Sequence, residues 1–216
     1  MDPRYFLVIA VAIVMGWYAI GIFYNVRRGE KLLQWMQAGL PRIGERTTFR
    51  WLGSSVAELV IGKGKGPTRR LEILLALAPR DLPWNWLYAE LRGRRDVLIL
   101  RVDLGGAPRM ALEMANPKSW TGRMSLSQAR EEGWQAQEYH GMTLMAPAGL
   151  LKLAAEYFPH LEDPIRKLSA SYSRFGLRKE TPHLEIHLQF PDVKKVDADD
   201  FFAALQDLAR SVHPHG

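Results

Sequence analysis

Tyr5-Phe-Leu-Val-Ile-Ala-Val-Ala-Ile-Val-Met-Gly-Trp-Tyr-Ala-Ile-Gly-Ile-Phe-Tyr24 is a run of twenty residues without a charge. Coiled as a helix it is about 30 Å long, the thickness of a bilayer's hydrocarbon core. Backbone polar groups cannot sit bare in lipid, so a spanning segment of this length has to be helical. Tyr5 and Phe6 stand at one end, Phe23 and Tyr24 at the other, the depths where amphipathic rings prefer the headgroup layer. The stretch predicts a single transmembrane helix contacting the bilayer through Tyr5–Tyr24. The chain then divides into an anchor (1–26), a juxtamembrane amphipathic segment (27–44) and a soluble domain (45–216).

Two other readings of the run carry less weight. A cleavable signal peptide needs a positive n-region, an apolar run of about 7–15 residues and a small-residue cleavage site. Here the chain opens Met-Asp-Pro-Arg, the run is longer, and Asn25, Val26, Arg27 and Arg28 follow it. A buried core helix this long is rarely apolar on every face. Arg4 precedes the run, whereas Arg27, Arg28, Lys31 and Arg42 follow it. Positive flanks stay on the cytoplasmic side. The expected topology at the cell membrane therefore places the N-terminus outside and the domain in the cytoplasm. The absence of cysteine agrees with a reducing compartment and leaves no thiolate chemistry.

The remaining 190 or so residues are enough for one core. Charge is divided unevenly. Arg27–Arg130 carries 19 Lys and Arg against 9 Asp and Glu, whereas Glu131–Gly216 carries 9 against 13. A basic, membrane-proximal half suits an anionic leaflet. It would also suit nucleic acid, but no nucleic-acid motif accompanies it. A plain arginine-rich surface is the bland alternative.

After the anchor, Glu30–Ala38 has helical apolar spacing at Leu32, Leu33, Trp35 and Met36. Gly39 is positioned to end that helix and Pro41 to block its continuation. It is expected either to lie in the membrane interface or to pack on the domain. Strand signals follow at 47–52, 56–61 and 69–78. Between the last two lies Gly62-Lys-Gly-Lys-Gly-Pro-Thr68. A phosphate loop needs Lys and a hydroxyl directly after its final glycine, and Pro67 stands there instead. The segment reads as a flexible basic tip. Arg27, Arg28, Lys31, Trp35, Lys63, Lys65, Arg69 and Arg70 are thus the candidate membrane-surface contacts, with anionic headgroups as their partner.

Further on, a helix is expected over 82–92, capped by Asp81 and burying Trp86, Leu87 and Leu91. Strands are expected at 97–103 and 110–114, a long surface loop at 116–133, and two short strands within 134–145. Helices are expected at 148–158, at 164–174 (stopped by Gly176), and at 198–212 (capped by Asp197). A strand over 184–190 separates the last two. The fold class is α+β, a mainly antiparallel sheet of six to eight strands covered by helices.

His183-Leu-Glu-Ile-His187 is tested as a metal site. Two His four apart share a face on a helix, but Pro182 and Pro191 bracket strict alternation, so this is a strand. Positions four apart in a strand are about 13 Å apart, too far for one ion. The alternation instead points His183, Glu185 and His187 to a polar face, a candidate ligand-facing strip with Tyr139 and His140 from another strand. No metal or cofactor is implied. No Gly-x-Ser-x-Gly elbow is present, so catalytic residues are not assigned. The leading expectation is a non-enzymatic, single-pass membrane protein. Its cytoplasmic domain would serve as an accessory, scaffold or sensor module that binds a protein, such as a membrane-protein partner, or the membrane surface. A membrane-tethered hydrolase or transferase is the alternative.

Overall fold

A computed structural model describes residues 3–169 and 171–213. The first element, α1 (Pro3–Ile43), leads into a hairpin ladder of β1 (Gly44–Trp51), β2 (Val56–Gly64) and β3 (Thr68–Ala76). Next come α2 (Pro83–Leu91), β4 (Val97–Leu104), β5 (Leu112–Ala115) and α3 (Trp120–Glu131). The hairpin β6 (Gln135–Tyr139) and β7 (Met142–Ala146) precedes α4 (Leu151–Tyr157) and α5 (Pro159–Leu168). The chain closes with β8 (Tyr172–Leu177), β9 (Leu184–Gln189) and α6 (Ala198–Val212). The nine strands form one antiparallel sheet in the order β1-β2-β3-β4-β9-β8-β5-β7-β6, so the α+β class expected from the sequence holds.

The sheet's two faces differ. Leu98, Leu100 and Val102 of β4, and Leu184, Ile186 and Leu188 of β9, point into the main core with α1, α5 and α6. Alternation in a strand sends their neighbours to the other face. There, α3 supplies cover, over β5, β7 and β8, through a small cluster of Ala115, Leu126, Ala129 and Met145. β3, β4 and β9 are left open on that side.

The segments expected as anchor and juxtamembrane helix are one continuous helix, contrary to the expected break at Gly39. Gly39 does not end the helix because it is a contact point. A Cβ there would lie 2.5 Å from the Ala198 carbonyl oxygen and 2.5 Å from the Phe202 ring, so glycine lets α1 and α6 cross closely. Pro41 falls in the last turn, where its missing N–H forfeits a single helix bond. Along α1 a stripe of Gly21, Asn25, Gly29, Leu32, Met36, Leu40 and Ile43 is buried against the domain. From Arg4 to Ile20 every residue except the half-buried Val14 is exposed. This is the one helix among the described residues long and apolar enough to cross a membrane.

Three further expectations need correction. The long loop at 116–133 is largely helix α3. Ser119 caps it by accepting the Gly122 N–H at 2.9 Å; its few apolar residues hid its periodicity. The helix drawn over 164–174 is α5, which starts earlier and stops at Leu168, followed by strand β8. Ala170, within that expected helix, lies outside the described residues, as do Met1, Asp2 and the chain's last three positions. Asp81 does not cap α2. Leu82 holds the cap position, and Asp81 instead accepts from Ser54 Oγ at 3.1 Å. Asp197, by contrast, caps α6 through the N–H groups of Asp199 and Asp200.

Candidate functional site

On the open sheet face, Glu72 of β3, Arg101 of β4, Glu185 of β9 and Glu113 of β5 stand at one level, where β8 places Gly176 and sets Arg174 two residues earlier. Arg70 and Glu72 stand 3.9 Å apart, and Glu72 is 3.3 Å from Arg101. Arg101 reaches Glu185 at 3.2 Å, and Glu185 meets Arg174 at 2.6 Å. Arg174 meets Glu113 at 2.6 Å, Glu113 is 3.7 Å from Arg178, and Arg178 pairs with Glu132 at the end of α3. Signs alternate throughout, so four arginines and four glutamates cancel. Glu113 is fully buried. It fits because β8 has Gly176 opposite it, where a Cβ would stand 2.8 Å from the carboxylate.

Glu185 is the centre of this ladder. His187 Nε2 lies 2.7 Å from its Oε1. Burial alone would raise the Glu185 pKa; the His187 hydrogen bond and the Arg174 and Arg101 charges outweigh it and hold the carboxyl at about 2. The carboxylate is therefore ionised, so Nε2–H of His187 donates to it. Burial also opposes the charge of Arg174, and Glu113 and Glu185 override it, raising that pKa. His187 is 5% exposed, and its Nδ1 has no hydrogen-bond partner.

α3 stands beside this ladder and turns the open face into a groove. One part, of about 500 Å³, lies between Arg101, Glu185 and His187 of the sheet and Thr121, Met124 and Gln128 of α3. It leads past Thr121 into a second part of about 360 Å³ walled by Arg94, Arg95, Lys118, Trp120 and Ser173. No group of three or more His, Asp or Glu among the described residues is placed to hold a metal ion. The first part offers alternating donors and acceptors, which suits recognition of a polar, mixed-charge surface, whereas the charged residues lining the second part, Arg94, Arg95 and Lys118, are all basic. No family matches the chain, and no curated protein matches it either.

The residues singled out from the sequence separate in space. Glu185 and His187 share the groove as alternation required. His183 sits at the strand's start, its Nδ1 accepting the Leu104 N–H at 3.0 Å. Tyr139 and His140 do not join them. Tyr139 is on the far edge strand β6, with its ring 5.4 Å from Phe158 and its hydroxyl on Glu162 of α5, in the helix layer. Arg174, Arg101 and Glu113 were missed. The missed strand β8 explains Arg174; no spacing signal joins Arg101 and Glu113 to it.

The candidate membrane-surface residues also divide. Arg27 and Lys31 are exposed, and Arg27 lies over the Phe23 ring at 5.9 Å. Arg28 turns inward to Asp96 at 2.8 Å. Trp35 donates to the Val196 carbonyl at 2.7 Å and packs edge-on against Phe201 of α6, so it serves the core. Lys63, Lys65, Arg69 and Arg70 lie at the opposite end of the domain from the apolar half of α1. The Lys65 N–H donates to the Ile43 carbonyl and its Nζ to that of Pro41. Seventeen residues of helix separate Tyr24 from Pro41, about 26 Å. The sequence ordering of basic residues does not reflect their height along the helix, because β2 carries the tip away from the apolar end.

Proposed function

We propose that this protein is a single-pass membrane module whose cytoplasmic α+β domain presents its grooved sheet face to a protein partner. The carrying observation is the division of α1: apolar and exposed from Arg4 to Ile20, then buried along one stripe from Gly21 to Ile43. A helix that is apolar and, apart from the contacts of Val14 and Trp17, uncovered over that length calls for lipid around it. Its second half is part of the domain's core, so the domain is held rigidly on the anchor rather than on a linker. The flanking arginines support a cytoplasmic domain.

The full chain is expected to sediment with membranes and resist carbonate extraction; release by carbonate sinks the anchor reading. The groove is tested by a photo-crosslinking side chain at Met124, on α3 at the groove's lip, compared with one at Lys152 on the helix layer. A discrete protein adduct from Met124 alone is the expected result. Adducts from both positions, or from neither, count against a partner in the groove.

A membrane-tethered hydrolase or transferase is the second reading. It draws on the Glu185–His187 pair, in which a carboxylate orients an imidazole whose Nδ1 is unbonded. The geometry favours it less, because each of the ladder's carboxylates is engaged by arginine.

A further inference from the structure

We infer that α2 is a second membrane-contacting element, lying in the interface beside the anchor with its apolar face in lipid. This rests on the anchor reading above. Trp84, Leu87, Tyr88 and Leu91 are spaced i, i+3, i+4 and i+7, the pattern of one helix face. That face points away from the domain. Leu91 is 79% exposed, Tyr88 60%, Trp84 55% and Leu87 52%, while Ala89 is buried on the opposite side. Leu87 and Leu91, expected in the core from the sequence, are therefore uncovered.

What covers them follows from where α2 is fastened. The segment leading into it packs against α1 within the apolar run. Trp17 donates its indole N–H to the Arg80 carbonyl at 3.0 Å, and its ring lies 5.9 Å from that of Trp86 on α2. Gly21 makes this approach feasible, since a Cβ there would overlap the same carbonyl at 2.0 Å. Trp17 is seven residues before Tyr24, about 10 Å along the helix. If the run spans a bilayer with Tyr24 at its edge, Trp86 reaches the depth at which interfacial helices rest, about 5–10 Å into the headgroup and acyl boundary.

The polar groups nearby are arranged for that depth. Arg80 sends its guanidinium back toward the domain, to Asn25 Oδ1 at 3.1 Å and Asp96 at 2.9 Å, and stacks on Tyr24 at 5.0 Å. Arg92, Arg94 and Arg95 follow directly after Leu91, where phosphate groups would lie above the acyl chains. Leu52, in the β1–β2 turn, is also exposed, and Ser54 of the same turn is bonded to Asn25 of α1 through its carbonyl. The bilayer is thus the occupant that the attachment of α2 to Trp17 selects.

The chain has no cysteine, so single-cysteine variants of the full protein carry one nitroxide each. In vesicles of phosphatidylcholine and phosphatidylglycerol, Leu87→Cys and Leu91→Cys are compared with Ile9→Cys in the anchor and Lys63→Cys at the tip. The expected ratio of collisions with lipid-soluble oxygen to those with a water-soluble nickel chelate is severalfold higher at 9, 87 and 91 than at 63. A lipid-like value at 9 with water-like values at 87 and 91 overturns the inference and leaves the anchor standing. A water-like value at 9 overturns both. Shielding of 87 and 91 from oxygen and chelate alike shows a protein on that face and overturns the inference too.

Discussion

Glu185 accepts contacts from Arg101, Arg174 and His187 at once. Its folded pKa, about 2, is below that of an unperturbed glutamate, so its pairing stabilises the fold above roughly pH 4.5 and is lost as pH falls toward 2. The shift corresponds to about 3 kcal/mol. Wild-type stability is expected to fall across that window, and the acid limb of Glu185→Gln to be flatter, as read by denaturant melts at each pH. Equal slopes would remove Glu185 from the acid response. Asp96, just before the central strand β4, gathers a second set of contacts. It accepts from the Ala78 N–H at 2.8 Å and from Arg80, with Arg28 of α1 beside it. These contacts tie the anchor helix to the strand layer.

At the scale of elements, α1 is three things in one helix: an exposed apolar half, a buried stripe, and the base on which α6 rests. Its glycines separate these roles. Gly39 sits against Ala198 and Phe202, whereas Gly16 has nothing within 4 Å of where a Cβ would be. Gly39→Leu is expected to overpack the α1–α6 crossing and cost about 3 kcal/mol. Gly16→Leu should leave the melting temperature in detergent unchanged. Similar losses in both would mean that the exposed half is packed after all. α3 is the other decisive element. The sequence at 116–133 is polar enough to read as a loop, and the buried face of α3 consists of Gly122, Ser125, Leu126 and Ala129, of which only Leu126 is a large apolar residue. Its helicity rests on the local Ser119 cap and on a small docking surface, and only the latter is settled by what lies beneath it.

For the whole molecule, the apolar half of α1, α2 and the β1–β2 turn gather at one end. The basic tip around Lys63 and Lys65 is at the other end, near Ile43. The tip is therefore the part of the domain best placed to report topology. In intact cells Lys63→Cys is expected to escape an impermeant maleimide and to react after lysis, as a cytoplasmic domain requires. Labelling before lysis would reverse the proposed orientation. The groove opens on the sheet's side face, between α3 and the strands β4, β8 and β9.

The twenty uncharged residues from Tyr5 to Tyr24 by themselves determine a helix long and apolar enough to cross a membrane, because twenty helical residues span about 30 Å. Period-two alternation in 184–190 likewise determines that Ile186 and Leu188 go to the core and that Glu185 and His187 face the opposite way. These are local regularities, written in consecutive side chains. Only the tertiary structure decided that α1 continues through Gly39, that Gly176 belongs to a strand, and that Leu87 and Leu91 stay outside. Each depends on a surface contributed from far along the chain: α6 against Gly39, Glu113 against Gly176, and Trp17 against the start of α2. The charge ladder is of the same kind. Six of its eight members come from five strands, with Arg178 just past β8 and Glu132 just past α3, and only strand order and register bring their opposite charges into contact.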